Sequence, residues 1–144
     1  MAFRCALAGI QDALAEAVRG ELPEAVPFDI GFPDRGPAGE HVWIDGAFEA
    51  NLPTYLSGGG LRDEAGELRV VISIARDRGP MTTLRDRALE LAGCVEDAVA
   101  ADATLGGAAE RAWVSKVSGL YALPEKRRQF YVTVTVSYEV TASG

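Results

Sequence analysis

The alternation at the end of the chain is the feature that most constrains its fold. In the segment from Arg128 to Thr141, apolar or aromatic side chains occupy every even position from Phe130 to Val140. All but one of the odd positions from Tyr131 onward carry a short or charged polar side chain. Successive side chains of a strand point to opposite faces, so this pattern predicts a strand with one apolar and one hydroxyl-rich face. The apolar face must be covered by other elements.

Three further segments predict strands. Glu67–Arg76 alternates in the same way, Arg111–Leu123 precedes the last strand, and His41–Asp45 is a short apolar segment. The connection Pro124–Arg127 is short enough to make the last two strands an antiparallel hairpin.

Two segments predict amphipathic helices with one apolar stripe each. The first runs from Ala2 to about Arg19 and the second from about Thr83 to Ala101, with Thr83 as a possible N-cap and Asp86 three residues later. The order is therefore α-β-β-α-β-β. We expect an α+β fold in which two main helices pack on one face of a mixed or antiparallel sheet of four to five strands.

The connections are rich in proline and glycine. Glu21–Gly39 predicts a connector with a short extended piece around Phe28–Phe32, which leaves room for an extra short strand. Gly46–Gly66 contains Pro53 and three consecutive glycines, and it predicts a long, flexible loop.

Length and charge limit the functional classes. With 144 residues and no shift in composition, residues 1–144 predict a single domain. The sequence lacks the long apolar run of a membrane helix and the pattern of a signal peptide, so we expect a protein retained in a cytosol. A net charge of −7 disfavours tight nucleic-acid binding.

The residues that carry chemistry are scarce. His41 is the single histidine, and the two cysteines, Cys5 and Cys94, lack metal-ligand spacing. The glycine triplet lacks the Gly-Lys-Ser/Thr ending of a phosphate loop. We therefore expect no catalytic residues, no metal and no cofactor. The basic cluster Lys126, Arg127 and Arg128 is more attractive as a contact with acidic protein surfaces than with nucleic acid.

The order and character of these segments resemble a known family. The helix "ALAGIQDALAEAV", the strand "ELRVVISIARDRG", the helix "TTLRDRALELAGCVEDAVAAD" and the closing strand "RQFYVTVTVSYEVTA" together resemble the tail terminator proteins of long-tailed phages and prophages. The resemblance covers nearly the whole chain, but it lies in element order and contains no diagnostic motif.

The resemblance implies a structural virion protein. Members of that family form a hexameric ring that caps the tail tube and offers the surface that joins the head, and they have no catalytic residues. By position, the resemblance implies residues that contact neighbouring subunits or the tube, and a strand face that is buried or lines the lumen of the ring. DNA would pass through this lumen without specific binding. The implied contact residues are Tyr55, Leu56, Leu61, Arg62, Arg76 and Arg78, and the implied face is Thr133, Thr135, Ser137 and Glu139.

The implied location is the tail of the virion, with the host cytoplasm as the place of assembly. Three alternatives remain open from the sequence. The chain could be another ring-forming connector, such as a neck or head-completion protein. It could be a small-ligand-binding or enzymatic α+β domain, which would require convergent polar groups in a pocket. It could also be a regulatory binding module such as an antitoxin or adaptor.

Overall fold

The chain folds into two helices and one five-stranded sheet. The computed structural model describes residues 6–34, 39–51, 61–122 and 128–143, and positions 46–51, 61–63, 120–122 and 141–143 are described by their backbone alone. The elements in chain order are α1 (Leu7–Glu21), β1 (Phe28–Ile30), β2 (Glu40–Asn51), β3 (Leu61–Arg76), α2 (Met81–Ala101), β4 (Arg111–Ala122) and β5 (Arg128–Ser143).

The sheet is mixed, with the order β1-β2-β3-β5-β4. β1 runs parallel to β2, and the other neighbouring strands are antiparallel. The predicted α+β fold is confirmed, together with the extra short strand and the final antiparallel hairpin.

β3 and β5 form the longest pair in the sheet. Their register is unbroken from Leu61 opposite Ser143 to Arg76 opposite Arg128. β2 and β4 flank this pair, and each contains one register shift, between Ile44 and Phe48 in β2 and between Val114 and Lys116 in β4. Such shifts bend a strand and change its local twist.

The core lies between the sheet and the helices. The strand side chains that face the helices are nearly all apolar, and both helices contribute the apolar stripe that the sequence predicts. The buried members are Val42, Ile44, Leu68, Val70, Ile72, Ile74, Phe130, Val132, Val134, Val136 and Tyr138 from the strands, with Ile10, Leu14, Val18, Leu84, Ala88, Leu91 and Val95 from the helices. Neither helix of the described residues is long and apolar enough to cross a membrane.

The helix α2 starts earlier than the sequence predicts. Its N-cap is Pro80 in an extended conformation, and no side chain caps the helix. Proline is tolerated at this position because the N–H group that it lacks is one of those that have no partner at a helix start. Thr83 is therefore inside the helix, and Asp86 accepts a hydrogen bond from Arg85 instead of completing a capping box.

The long loop that the sequence predicts at 46–66 is shorter in the structure. Residues 46–51 continue β2, and residues 61–66 belong to β3. The two extensions pair with each other, since Asn51 lies opposite Ala65 and Phe48 opposite Leu68. The remaining positions, 52–60, lie outside the described residues.

A buried carboxyl group joins the sheet to the start of α1. Glu64 of β3 is 1% exposed and lies on the face toward the helices. The hydroxyl of Tyr138 donates a hydrogen bond of 2.9 Å to Glu64 Oε2, and the backbone N–H of Ala6 donates one of 3.0 Å to Oε1. Helix starts carry backbone N–H groups without partners inside the helix, so this carboxyl group satisfies one of them.

We expect Tyr138→Phe to destabilise the fold. The change removes a buried donor to a carboxyl group, and such a hydrogen bond contributes about 1.5–3 kcal/mol. Chemical denaturation measures the loss. Tyr131→Phe, on the opposite face of the same strand, is the matched control and should change stability by less than about 0.5 kcal/mol. Equal effects of the two substitutions would contradict the role given to the Glu64–Tyr138 contact.

Candidate interaction surface

The sheet face that points away from the helices is called the open face here. It is formed by the odd-numbered side chains of positions 41–45 in β2, 65–75 in β3 and 131–139 in β5, and by the β4 side chains that share their register. Within the described residues, no helix packs on it. Its members include His41, Trp43, Glu67, Arg69, Val71, Ser73, Ala75, Trp113, Tyr131, Thr133, Thr135, Ser137 and Glu139.

The β1–β2 end of the open face carries an aromatic and polar cluster. His41 Nε2 lies 2.6 Å from Asp29 Oδ2, and the His41 ring meets Trp43 edge-on with centroids 5.9 Å apart. Phe32, just after β1, meets Trp43 edge-on from 5.5 Å. Trp43 is thereby buried, while Phe32 remains 65% exposed. Part of this edge is therefore an exposed apolar surface.

Ser73 lies at the centre of the open face. It is fully buried between His41 and Tyr131, which are its register neighbours on β2 and β5. Among the described residues, its Oγ has no hydrogen-bond partner. Asp29, His41 and Ser73 are the residue types of a nucleophilic triad, but the hydrogen bond that would activate the serine is missing and its hydroxyl is inaccessible.

We expect Ser73→Ala to keep or raise stability. A buried hydroxyl without a partner costs about 1–3 kcal/mol, and alanine removes that cost while leaving a small side chain. Thermal or chemical denaturation provides the measurement. Ser137→Ala is the matched control, because the Ser137 hydroxyl donates to Ser115 Oγ at 2.7 Å and its removal should be destabilising. A clear loss of stability in Ser73→Ala would show that its hydroxyl has a partner.

The predicted hydroxyl-rich face of β5 lies on the open face. Thr135 and Ser137 are buried to 7% and 8% exposure, Thr133 is half-buried and Glu139 is exposed. The register shift in β4 brings Ser115 to this row, where its hydroxyl donates to the backbone carbonyl of Thr135 at 3.4 Å. The row is therefore polar and closely packed.

A cavity of about 220 Å³ opens on the same face, where β3 begins and β5 ends. Its walls are Ala65–Glu67 of β3, Trp113 of β4 and Ser137–Glu139 of β5. The guanidinium of Arg111 stacks on Trp113, 4.4 Å from the ring centroid. Two carboxyl groups, those of Glu67 and Glu139, thus stand beside an aromatic wall. Within the described ranges, no three His, Cys, Asp or Glu side chains group closely enough to hold a metal ion.

The opposite end of the sheet is rich in arginine. Arg76 is ion-paired with Glu40 at 2.6 Å, and Arg87 of α2 reaches the other oxygen of Glu40 at 3.0 Å. Arg128 donates to the carbonyl of Gly79. Arg78, in the turn between β3 and α2, is exposed. Of the predicted contact residues at this end, Arg76 and Arg128 are thus already held within the chain.

Glu40 links β2, β3 and α2 through its two arginine partners. The hydrogen bonds from Arg87 lower the pKa of Glu40, partial burial opposes them, and Arg76 lowers the pKa further. A carboxyl group with a lowered pKa in the folded state stabilises the fold above its unfolded pKa, about 4.3 for glutamate. That stabilisation is lost as the pH falls through the folded value.

We expect Glu40→Gln to lower the free energy of unfolding at neutral pH by about 1 kcal/mol, because a partly exposed ion-pair network is worth about that much. The difference from wild type should shrink as the pH falls below about 4. Urea denaturation at several pH values measures it. Glu90→Gln removes a more exposed partner of Arg87 and should have a smaller effect. A difference that is constant with pH would contradict the conclusion that the ionised Glu40 side chain stabilises the fold through its arginine partners.

The structure describes only two of the remaining predicted contact residues, and those two by their backbone alone. Leu61 and Arg62 belong to β3, where they lie opposite Ser143 and Ala142. Tyr55, Leu56, Lys126 and Arg127 lie outside the described residues. Sequence reasoning missed Glu40, Glu67 and Trp113, because nothing local in the sequence shows that each meets partners on other strands.

Comparisons with solved structures give a distant structural likeness. A chain from the virion of a native gene transfer agent particle superposes with a TM-score of 0.43 and 17% sequence identity, over 94% of this chain and 99% of that chain. No protein-family model matches the sequence. No curated protein matches it either. These values assign no family to the chain.

Proposed function

We propose that the chain is a structural virion protein, and specifically a tail terminator that assembles as a ring on the tail tube and offers the surface that joins the head. The observation that carries this proposal is the open face. Five strands present it, and no helix of the described residues covers it, whereas α1 and α2 pack on the other face. The element order of the fold also agrees with the resemblance seen in the sequence.

The open face has features of a protein-binding surface. Exposed Phe32, at 65%, lies at its β1 edge, and half-buried Val71 and Tyr131 lie near its centre. Protein interfaces are enriched in aromatic side chains at their centres and have polar rims. An antiparallel sheet can face water on one side, but it then needs no exposed aromatic side chain at its edge.

A role without catalysis fits the arrangement of the polar side chains. The residue types closest to a reactive set are His41, Asp29 and Ser73, and the serine hydroxyl is buried and not bonded to the histidine. Glu64 and Tyr138 bond to each other inside the core. We therefore propose a binding and assembly protein, with no substrate to transform.

The charge of the chain suits a passage for DNA. Six copies at −7 each would give a ring with a formal charge of −42. Like charges repel, so an acidic lumen would let DNA move through without being bound. The hydroxyl-rich row of β5, with Glu139 at its end, is a surface of this kind.

Binding to purified tail tubes tests the proposal. We expect the protein to co-sediment with tubes that lack a terminator and to stop their elongation. Thr133→Arg places a charged side chain on the open face and should reduce this binding at least tenfold, because a buried unpaired charge is costly at an interface. Ala100→Arg, on the exposed side of α2, adds the same charge and should bind as wild type does.

The same binding experiment distinguishes a tail terminator from a neck or head-completion protein. Binding to portal-bearing heads, without binding to tail tubes, would replace the terminator by a neck or head-completion protein. If Thr133→Arg and Ala100→Arg bind tubes equally well, the open face does not take part in the interface.

A further inference from the structure

The two ends of the β3–β5 pair carry side chains of different charge. At one end, the cavity is flanked by Glu67 and Glu139. At the other end, the turn after β3 carries Arg78. Arg76 lies nine positions after Glu67 in β3, which is about 30 Å along an extended strand. The cavity, with its two carboxyl groups and the Arg111 guanidinium on its Trp113 wall, and this turn therefore lie at opposite ends of the sheet.

The cavity is suited to the cationic head group of a side chain. Its space of about 220 Å³ is large enough for a guanidinium, and Ser137 is among the residues that line it. Glu67 and Glu139 offer carboxyl oxygens, which accept paired hydrogen bonds from a guanidinium. Trp113 forms an aromatic wall, and Arg111 already shows that a guanidinium stacks on that ring.

Among the residues that the structure describes at the opposite end, Arg78 is the arginine available for such a contact. Its neighbours are held within the chain: Arg76 and Arg87 by Glu40, Arg85 by Asp86, and Arg128 by the carbonyl of Gly79. Arg78 is exposed, and it forms none of the ion pairs found in the described part of the chain.

We infer that the cavity of one copy receives Arg78 of the next copy, in a head-to-tail contact between opposite ends of the sheet. A contact between two different patches of the same chain is heterologous, and such contacts close into rings when the rotation allows it. This inference rests on the proposed ring and names its subunit contact. The charge complementarity of the two ends, on a chain with a net charge of −7, is what favours a second copy as the occupant.

Charge exchange tests the contact. Self-association is measured by sedimentation at increasing protein concentration and by cross-linking on purified tail tubes. We expect Arg78→Glu and Glu139→Arg each to weaken association at least tenfold, and the double variant to recover most of it. Arg78→Lys keeps the charge and should lose less than Arg78→Glu. Glu16→Arg, at an exposed position of α1, is the control for net charge.

The effect of each substitution on folding must be distinguished from its effect on assembly. Thermal denaturation verifies that each variant is folded, and Glu67→Gln provides a second, neutral change in the cavity wall that should also weaken association. If wild type assembles and the single charge reversals leave its association unchanged, the cavity contact is overturned while the proposed ring stands. If wild type stays monomeric both in solution and on tubes, the ring and this contact are overturned together.

Discussion

The unbroken pairing of β3 with β5 determines the rest of the structure. Their register runs without a shift from Leu61 opposite Ser143 to Arg76 opposite Arg128. Because side chains alternate along a strand, a slip by one residue would exchange the core and solvent faces of a whole strand. The apolar row that packs on α1 and α2 and the hydroxyl row of the open face are therefore two consequences of one register.

The elements that could be predicted from the sequence are those whose pattern does not depend on distant partners. β5, the second half of β3 and both helical stripes have clear periodicity. The sequence therefore predicts whether each is a strand or a helix and which of its faces packs in the core. The extension of β2 to Asn51 and the start of β3 at Leu61 lack this pattern. These segments are strands because they pair with each other and β3 also pairs with β5, so neighbouring backbone decides their conformation more than local preference does.

The candidate surface was predictable only in part. The hydroxyl row of β5 is visible in the sequence because it is the polar half of an alternating strand. The ion pair of Arg76 with Glu40 spans 36 positions, and the hydrogen bond between Tyr138 and Glu64 spans 74, so neither leaves a local signal. The same holds for the cavity, whose walls come from three strands. Sequence reasoning found residues on the open face but could not show which of them are already engaged.

Acidic copies can assemble if attraction acts at short range and repulsion at long range. At physiological salt the Debye length is about 8 Å, so exposed charges on different parts of two copies scarcely interact. A guanidinium inside a partly enclosed cavity, between Glu67 and Glu139, is screened much less. In the proposed ring, one local contact per subunit pair would thus act against the weak general repulsion of chains at −7 each. The acidic surfaces outside the contacts would remain free to repel DNA, which makes net acidity compatible with both assembly and passage.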